Sequence, residues 1–566
     1  MSRGLLALAL SWLLACSPDG GSPQVGSQTN WLMACEASSD CGELQCVCGA
    51  CTARCDDDAA CQGLAAASCI AADDEGSMAL CGETPPGSGI CLPRCEGGCD
   101  GGTRCVSGVC VPDGPSAASG PATLTVDPSV RHQTLVGFGA SLAYAEDPIL
   151  AHPDREALYD LVFGESGLDV LRLGNRHDPA AADQTLPTGE IVAAAAQRMG
   201  RMPLIFMTSS TPPPALKANG SRGCIGEPET CTLASLPGGD FDYAGFAAYW
   251  RASLRAYADA GIPPDYISIQ NNPNWVPDAD DPPEACRLLP REGAIPVTID
   301  GEQVDVTYAG YREALQAVRA AIADLPTAPR LSIPEANGVA LGNEYLEALD
   351  AGSFDAIAIH LYDADAMALD VTPFAAVRDL AQELQRPVFQ TEMQAEGLQT
   401  AILIHHAVTD ADAAAYLQND LVALTPEVAP VALALLNEDG VQVQDPYYAL
   451  SHYAKHTDPG WVRLETTLQP AAEPGSDGAD VLGSAWLAPD DTALTVVLVN
   501  AGDGEAEVAL SLDSLDVGLR ESLSRSQVTR TVFGDDERAM PLGELPETDV
   551  LHLPAGSIVT VALTAQ

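Results

Sequence analysis

The 566-residue chain carries 27 Lys and Arg against 79 Asp and Glu, a formal charge of -52. Such a surface repels nucleic acid and anionic lipid headgroups and disfavours polyanionic substrates, so no nucleic-acid partner is expected. The length exceeds one ordinary domain, and 46% hydrophobic residues allow a sizeable core although only 5% are aromatic.

The N-terminus reads as an export signal over residues 1–16. Arg3 forms the basic region, and Leu5 to Leu14 is an apolar run too short to span a bilayer. Leu13-Leu14-Ala15-Cys16 resembles a bacterial lipobox. That resemblance implies cleavage before Cys16 and lipidation of its thiol. Ser17, where an Asp would favour inner-membrane retention, points to the outer membrane. Ordinary cleavage with free secretion is the alternative. Residues 17–34 are polar and rich in Gly and Ser, as in a tether.

Fourteen of the 18 cysteines fall between Cys35 and Cys110. An even count in an exported segment predicts a disulfide framework over residues 35–111. Cys46-x-Cys48-x-x-Cys51 admits a zinc site, but no His lies among these cysteines, so no metal or other cofactor is expected. Residues 112–122 form a linker rich in Pro, Gly, Ser and Ala.

From Thr123 short apolar runs alternate with amphipathic stretches of helical length. Strands are predicted at Val170-Leu-Arg-Leu, Pro203 to Met207, Tyr266-Ile-Ser-Ile, Arg330-Leu-Ser-Ile, Ala356-Ile-Ala-Ile, Pro387-Val-Phe-Gln and Val431-Ala-Leu-Ala-Leu. Helices are predicted over 154–163, 243–260, 308–324, 343–350, 373–384 and 411–422. About eight such repeats predict an α/β (β/α)8 barrel over residues 123–456. After residue 457 short alternating segments predict a β-sandwich side domain over 457–566, which the strand at 123–127 is placed to join.

Catalytic groups of such barrels sit just beyond the strand ends. Those ends present Arg172 on strand two, Gln270-Asn271-Asn272-Pro273-Asn274-Trp275 on strand four, His360-Leu-Tyr362 on strand six and Gln390-Thr391-Glu392 on strand seven. Together with Gln133-Thr-Leu-Val-Gly-Phe-Gly139, Gly167 to Leu173, Thr211-Pro-Pro-Pro-Ala-Leu-Lys-Ala-Asn-Gly220, Pro283-Glu-Ala-Cys-Arg287 and Tyr447 to Lys455, the run resembles glycoside hydrolase family 30, retaining β-glycosidases, and within it the xylanase-like branch.

The resemblance implies a polysaccharide partner, xylan or β-glucan, and a nucleophile at Glu392. Arg172 would orient the neighbouring carboxylate. Asn271, Trp275, His360 and Tyr362 would line the sugar site, with Trp461 a further ring. The family's acid/base Glu falls where this chain has Asn272. An amide cannot supply the proton, and Pro273 lacks the N–H through which deamidation would proceed. Asp278, Asp280, Glu284 and Glu396 are neighbours in sequence from which a relocated acid could come. Three readings follow: a retaining hydrolase with a relocated acid, a non-catalytic relative that binds carbohydrate, or a structural surface protein. A monomer is expected. Cys224 with Cys231 could close a small loop and leave Cys286 unpaired, with another pairing of the three the alternative.

Overall fold

The computed structural model describes residues 121–142, 145–179, 186–278, 283–299, 301–364, 370–469, 480–535 and 537–565, with shorter stretches between Trp31 and Pro112. The signal peptide with Cys16 lies outside the described residues, as does Asp280. Two compact units divide the chain, Met1–Gly120 and Pro121–Gln566.

In the first unit short antiparallel pairs are pinned by disulfides Cys41–Cys51, Cys55–Cys69, Cys61–Cys91 and Cys99–Cys110. Cys46 is also disulfide-bonded, so the Cys46/Cys48/Cys51 run is not a set of free thiolates for zinc. Among the described residues of this unit the aliphatic cluster is small, consisting of Leu32, Val47, Ile70, Ile90, Leu92 and Val109 with Trp31 packed against it. Cross-links therefore substitute for a core.

The second unit contains a closed barrel of eight parallel strands. We number them β1 (Gly137–Ser141), β2 (Val170–Gly174), β3 (Leu204–Thr208), β4 (Tyr266–Ser268), β5 (Arg330–Pro334), β6 (Ala356–His360), β7 (Val388–Glu392) and β8 (Ala413–Gln418). Gly139 on β1 is required by close approach: a Cβ there would lie 2.3 Å from the Val170 carbonyl oxygen on β2. Inside the barrel Phe206, Tyr266 and Phe389 pack edge-to-face or tilted, with centroids 4.9–5.0 Å apart. Ala356, Ala414 and Ala415 share that cluster. Small residues on β6 and β8 thus make room for the three rings.

The last barrel strand corrects the sequence expectation twice. Residues 411–422 are not a helix, since Ala413–Gln418 is β8. Val431 to Leu435 is not a barrel strand; Ala434–Asn437 pairs with Val422–Ala423 and Gly440–Val443 in a separate three-stranded sheet. Alanine's high helix propensity misled the reading of Ala413-Ala-Ala, and packing inside the barrel overrode it.

The chain then enters one nine-stranded sheet that curls around a cluster including Leu124, Val126, Leu464, Val496, Leu510 and Val561. Ala122–Thr134, the early strand, lies inside this sheet, antiparallel to Val462–Gln469 and parallel to Ala506–Ser511. The helix Asp445–Ala454 joins barrel to sheet. Its buried His452 reaches Thr560 Oγ1 at 2.8 Å and Thr531 Oγ1 at 3.0 Å.

Burial, helped by His456 and Lys455, pushes the His452 imidazole down from 6.5 to about 3. The unfolded chain therefore binds this proton at a pH where the folded one does not. Stability contributed by the neutral ring is complete above pH 6.5 and falls as pH drops through 6.5 toward about 3. One such proton contributes a slope of up to about 1.4 kcal/mol per pH unit. We expect urea midpoints of the wild type to fall more steeply between pH 6 and 4 than those of His452→Gln; parallel slopes would contradict this.

Candidate active site

The C-terminal ends of β4, β5 and β7 supply oxygens to one buried guanidinium. Arg172, 2% exposed, lies on β2. Its Nη1 donates to Glu392 Oε2 at the end of β7 (2.7 Å), its Nε to Glu335 Oε1 just beyond β5 (3.2 Å), and its Nη2 to Asn271 Oδ1 after β4 (2.6 Å). Each of the guanidinium's three nitrogens thus has its own oxygen, and two of these are carboxylate oxygens.

Both carboxylates are almost fully enclosed. Burial alone would push Glu392 up, but Arg172 and then His360 hold its carboxyl below the ordinary glutamate range. Tyr362 donates from its hydroxyl to Glu392 Oε1 at 3.1 Å. Burial and the charge of Glu392 push that phenol well up, so it stays a donor. Glu335 is likewise held ionised against burial by Arg172, His360 and the Thr208 hydroxyl, which donates to Oε2 at 2.6 Å.

Asn272 sits beside this cluster with φ 44°. His360 Nδ1 donates to its Oδ1 at 2.8 Å, and its backbone N–H donates to the Glu335 carbonyl at 2.9 Å. The His360 Nε2 lies 3.8 Å from Glu335 Oε1. Glu335 also has a positive φ, 56°. Two non-glycine residues in the left-handed region, tied to each other by a backbone hydrogen bond at the barrel mouth, mark a strained constellation. Asn and Asp tolerate this conformation better than other side chains. We expect Asn272→Glu to lose about 1–3 kcal/mol of unfolding free energy and Asn272→Asp distinctly less. Equal losses in urea denaturation would contradict the backbone argument.

The structure therefore brings together Arg172, Asn271, Asn272, His360, Tyr362 and Glu392. The two expected rings make the following packing contacts. Trp275 is half-buried and packs against a cluster made by the Cys224–Cys231 disulfide and Ala285. Trp461, 9% exposed, belongs to the barrel's hydrophobic core. Cys286 is a free, buried thiol. Of the neighbouring acids, Glu284 is paired with Arg222 at 2.8 Å. Glu396 is exposed before the helix Gly397–Thr409.

Reading the strand ends missed Glu335, Thr208 and Asp420. Glu335 was legible as the residue following Arg330-Leu-Ser-Ile-Pro, the end of a predicted strand. Asp420 is hidden in sequence because the alanine-rich run before it has the pattern of a helix.

No protein-family profile matches the sequence, and no characterised protein matches it by sequence. Solved structures do match the fold. A glycoside hydrolase family 30 subfamily 8 xylanase from Clostridium acetobutylicum superposes at TM-score 0.56 and 20% identity, over 78% of this chain and all (100%) of that one. The catalytic domain of a family 30 xylanase C from Talaromyces cellulolyticus matches at 0.57 and 18%, over 78% and 100%. An endo-β1,6-glucanase matches at 0.54 and 13%, over 78% and 94%. At these identities the likeness is one of fold: a glycoside hydrolase-like barrel with its companion sheet.

Proposed function

We propose that this protein is a retaining hydrolase of a neutral β-linked polysaccharide, xylan or β-glucan, with Glu392 as nucleophile. The observation that carries the reading is the ionised, buried Glu392, oriented by Arg172 and Tyr362 where β7 ends. A retaining glycosidase needs such a carboxylate to attack the anomeric carbon. Asn271, Asn272 and Tyr362 are half-buried and line the open side of the site, where sugar hydroxyls would meet their polar atoms. The xylanase and β-glucanase activities of structural neighbours support the substrate class. The charge of -52 disfavours glucuronate-bearing chains. Export with anchoring through Cys16 belongs to the same proposal, supported by disulfides that need an oxidising compartment.

One observation favours a second reading, a carbohydrate-binding relative without turnover: Asn272 stands at the expected acid position, its oxygen already engaged by His360. Assay of wild type and Glu392→Gln on xylan, β-glucans and an activated aryl glycoside separates the two. Turnover by the wild type that Glu392→Gln abolishes supports the hydrolase. Binding without turnover by both proteins supports the second reading.

A further inference from the structure

The proposed hydrolysis needs a group that gives a proton to the leaving oxygen and later takes one from water. Asn272 has no such proton. Glu335 cannot act, because Arg172 and Thr208 occupy its two oxygens and keep it ionised. Glu284 is held by Arg222.

One carboxyl at the barrel mouth stands apart from these. β8 runs beside β7 with Gln390 in register with Tyr416. The Asn419 backbone N–H donates to the carbonyl of Met393, the residue after Glu392, at 2.9 Å. Leu421 N donates to the Ser141 carbonyl at 2.8 Å and Leu433 N to the Asp420 carbonyl at 3.1 Å, fixing the backbone around Asp420. The Asn419 side chain hydrogen-bonds Tyr362, which itself donates to Glu392. Gln394, two residues past Glu392, hydrogen-bonds the Asp420 carboxyl. That carboxyl is half-buried and within electrostatic range of both Glu392 and Arg172.

We propose that Asp420 is the acid/base catalyst of this site, in place of the carboxyl missing at Asn272. The proposal rests on the hydrolase reading above. In the first step a Glu392 oxygen bonds to the anomeric carbon while the glycosidic C–O bond breaks. The Asp420 proton passes to the departing oxygen, leaving an alcohol, a glycosyl ester on Glu392 and an Asp420 carboxylate. In the second step that carboxylate takes a proton from water as the water oxygen bonds to the anomeric carbon. Glu392 leaves as a carboxylate and Asp420 is again protonated. The balance needs only substrate and water.

Electrostatics support this division of labour. Burial, and then the charge of Glu392, push the Asp420 carboxyl up to about 7 against the pull of Arg172. Arg172 meanwhile keeps Glu392 low. Among the described residues these are the charged groups that act on it, Glu392 from β7 and Arg172 from β2; Gln394 is a neutral partner. Two carboxyls driven apart in this way are the pattern of an acid beside a nucleophile.

The test uses the whole protein with Asp420→Asn and Asp420→Ala, on the polysaccharide the wild type cleaves and on a dinitrophenyl glycoside, whose leaving group needs no proton. We expect kcat/KM to fall about 10²–10⁴-fold on the polysaccharide and far less on the aryl glycoside. Azide should raise kcat of Asp420→Ala by replacing water without needing a base, and yield a glycosyl azide. The basic limb of the wild-type kcat/KM profile, expected near pH 7, should vanish in Asp420→Asn. Equal losses on both substrates, or polysaccharide cleavage at the wild-type rate by Asp420→Asn, would overturn the assignment. Should both variants fold poorly by thermal unfolding, the wild-type profile decides: no basic limb between pH 6 and 8 rejects Asp420. If Glu392→Gln is inactive while Asp420→Asn is unchanged, only this proposal fails. If the wild type cleaves no glycoside, or Glu392→Gln cleaves as well as wild type, the hydrolase reading falls and this proposal with it.

Discussion

Replacing Arg172 by Ala is expected to cost about 3–5 kcal/mol of unfolding free energy, the scale of removing one partner from a buried charge pair. The guanidinium serves two enclosed carboxylates, Glu335 and Glu392, and the amide oxygen of Asn271. Without it, burial is unopposed and one carboxyl must take up a proton or open the site to water. Part of the loss should therefore return in Arg172→Ala combined with Glu335→Gln, which leaves a single buried charge. Urea unfolding at pH 7 and at pH 5 checks both statements. The deficit should shrink at the lower pH, where the unpaired carboxyls neutralise more readily. A loss of under about 1 kcal/mol, typical of an exposed ion pair, would show that Arg172 does not hold the site together.

Glu392→Gln is expected to lower kcat on the order of 10⁵–10⁶-fold, the scale seen when a covalent nucleophile is removed from a catalytic unit. The substitution preserves volume and the hydrogen bond from Tyr362, so the fold should survive. It also removes one of the charges opposite Arg172, leaving Glu335 as the remaining counter-ion. Steady-state turnover together with a thermal unfolding curve separates chemistry from stability. A variant that is folded and retains more than about a tenth of wild-type turnover would exclude Glu392 as nucleophile.

Much of this arrangement could be read from residue order. Alternating strand and helix patterns locate six of the eight barrel strands, β2 to β7, and the rule that side chains at strand ends face the mouth points to Arg172, Asn271, Asn272, His360, Tyr362 and Glu392. What escaped did so for physical reasons. Ala413-Ala-Ala-Tyr-Leu-Gln has the composition of a helix, and only the bulk of Phe206, Tyr266 and Phe389 across the barrel explains why a strand of small residues fits there. That single misassignment hid Asp420. Glu335 stands at a legible strand end, but its partnership with Arg172 spans 163 residues, a separation that no local pattern reports. The packing of Trp275 on the Cys224–Cys231 disulfide and of Trp461 in the core likewise depends on tertiary contacts, since an indole looks the same in sequence whether it stacks on a sugar or fills a core.

In the proposed mechanism Glu392 attacks an anomeric carbon. The most direct test is incubation with activated 2-deoxy-2-fluoro glycosides of xylo and gluco configuration, which slow release of the glycosyl ester, followed by intact-mass measurement and peptide mapping. The expected result is a mass increase of one fluorosugar per chain, located on the peptide that contains Glu392 and absent from Glu392→Gln. An active wild type that forms no adduct, or an adduct on any other residue, would contradict it.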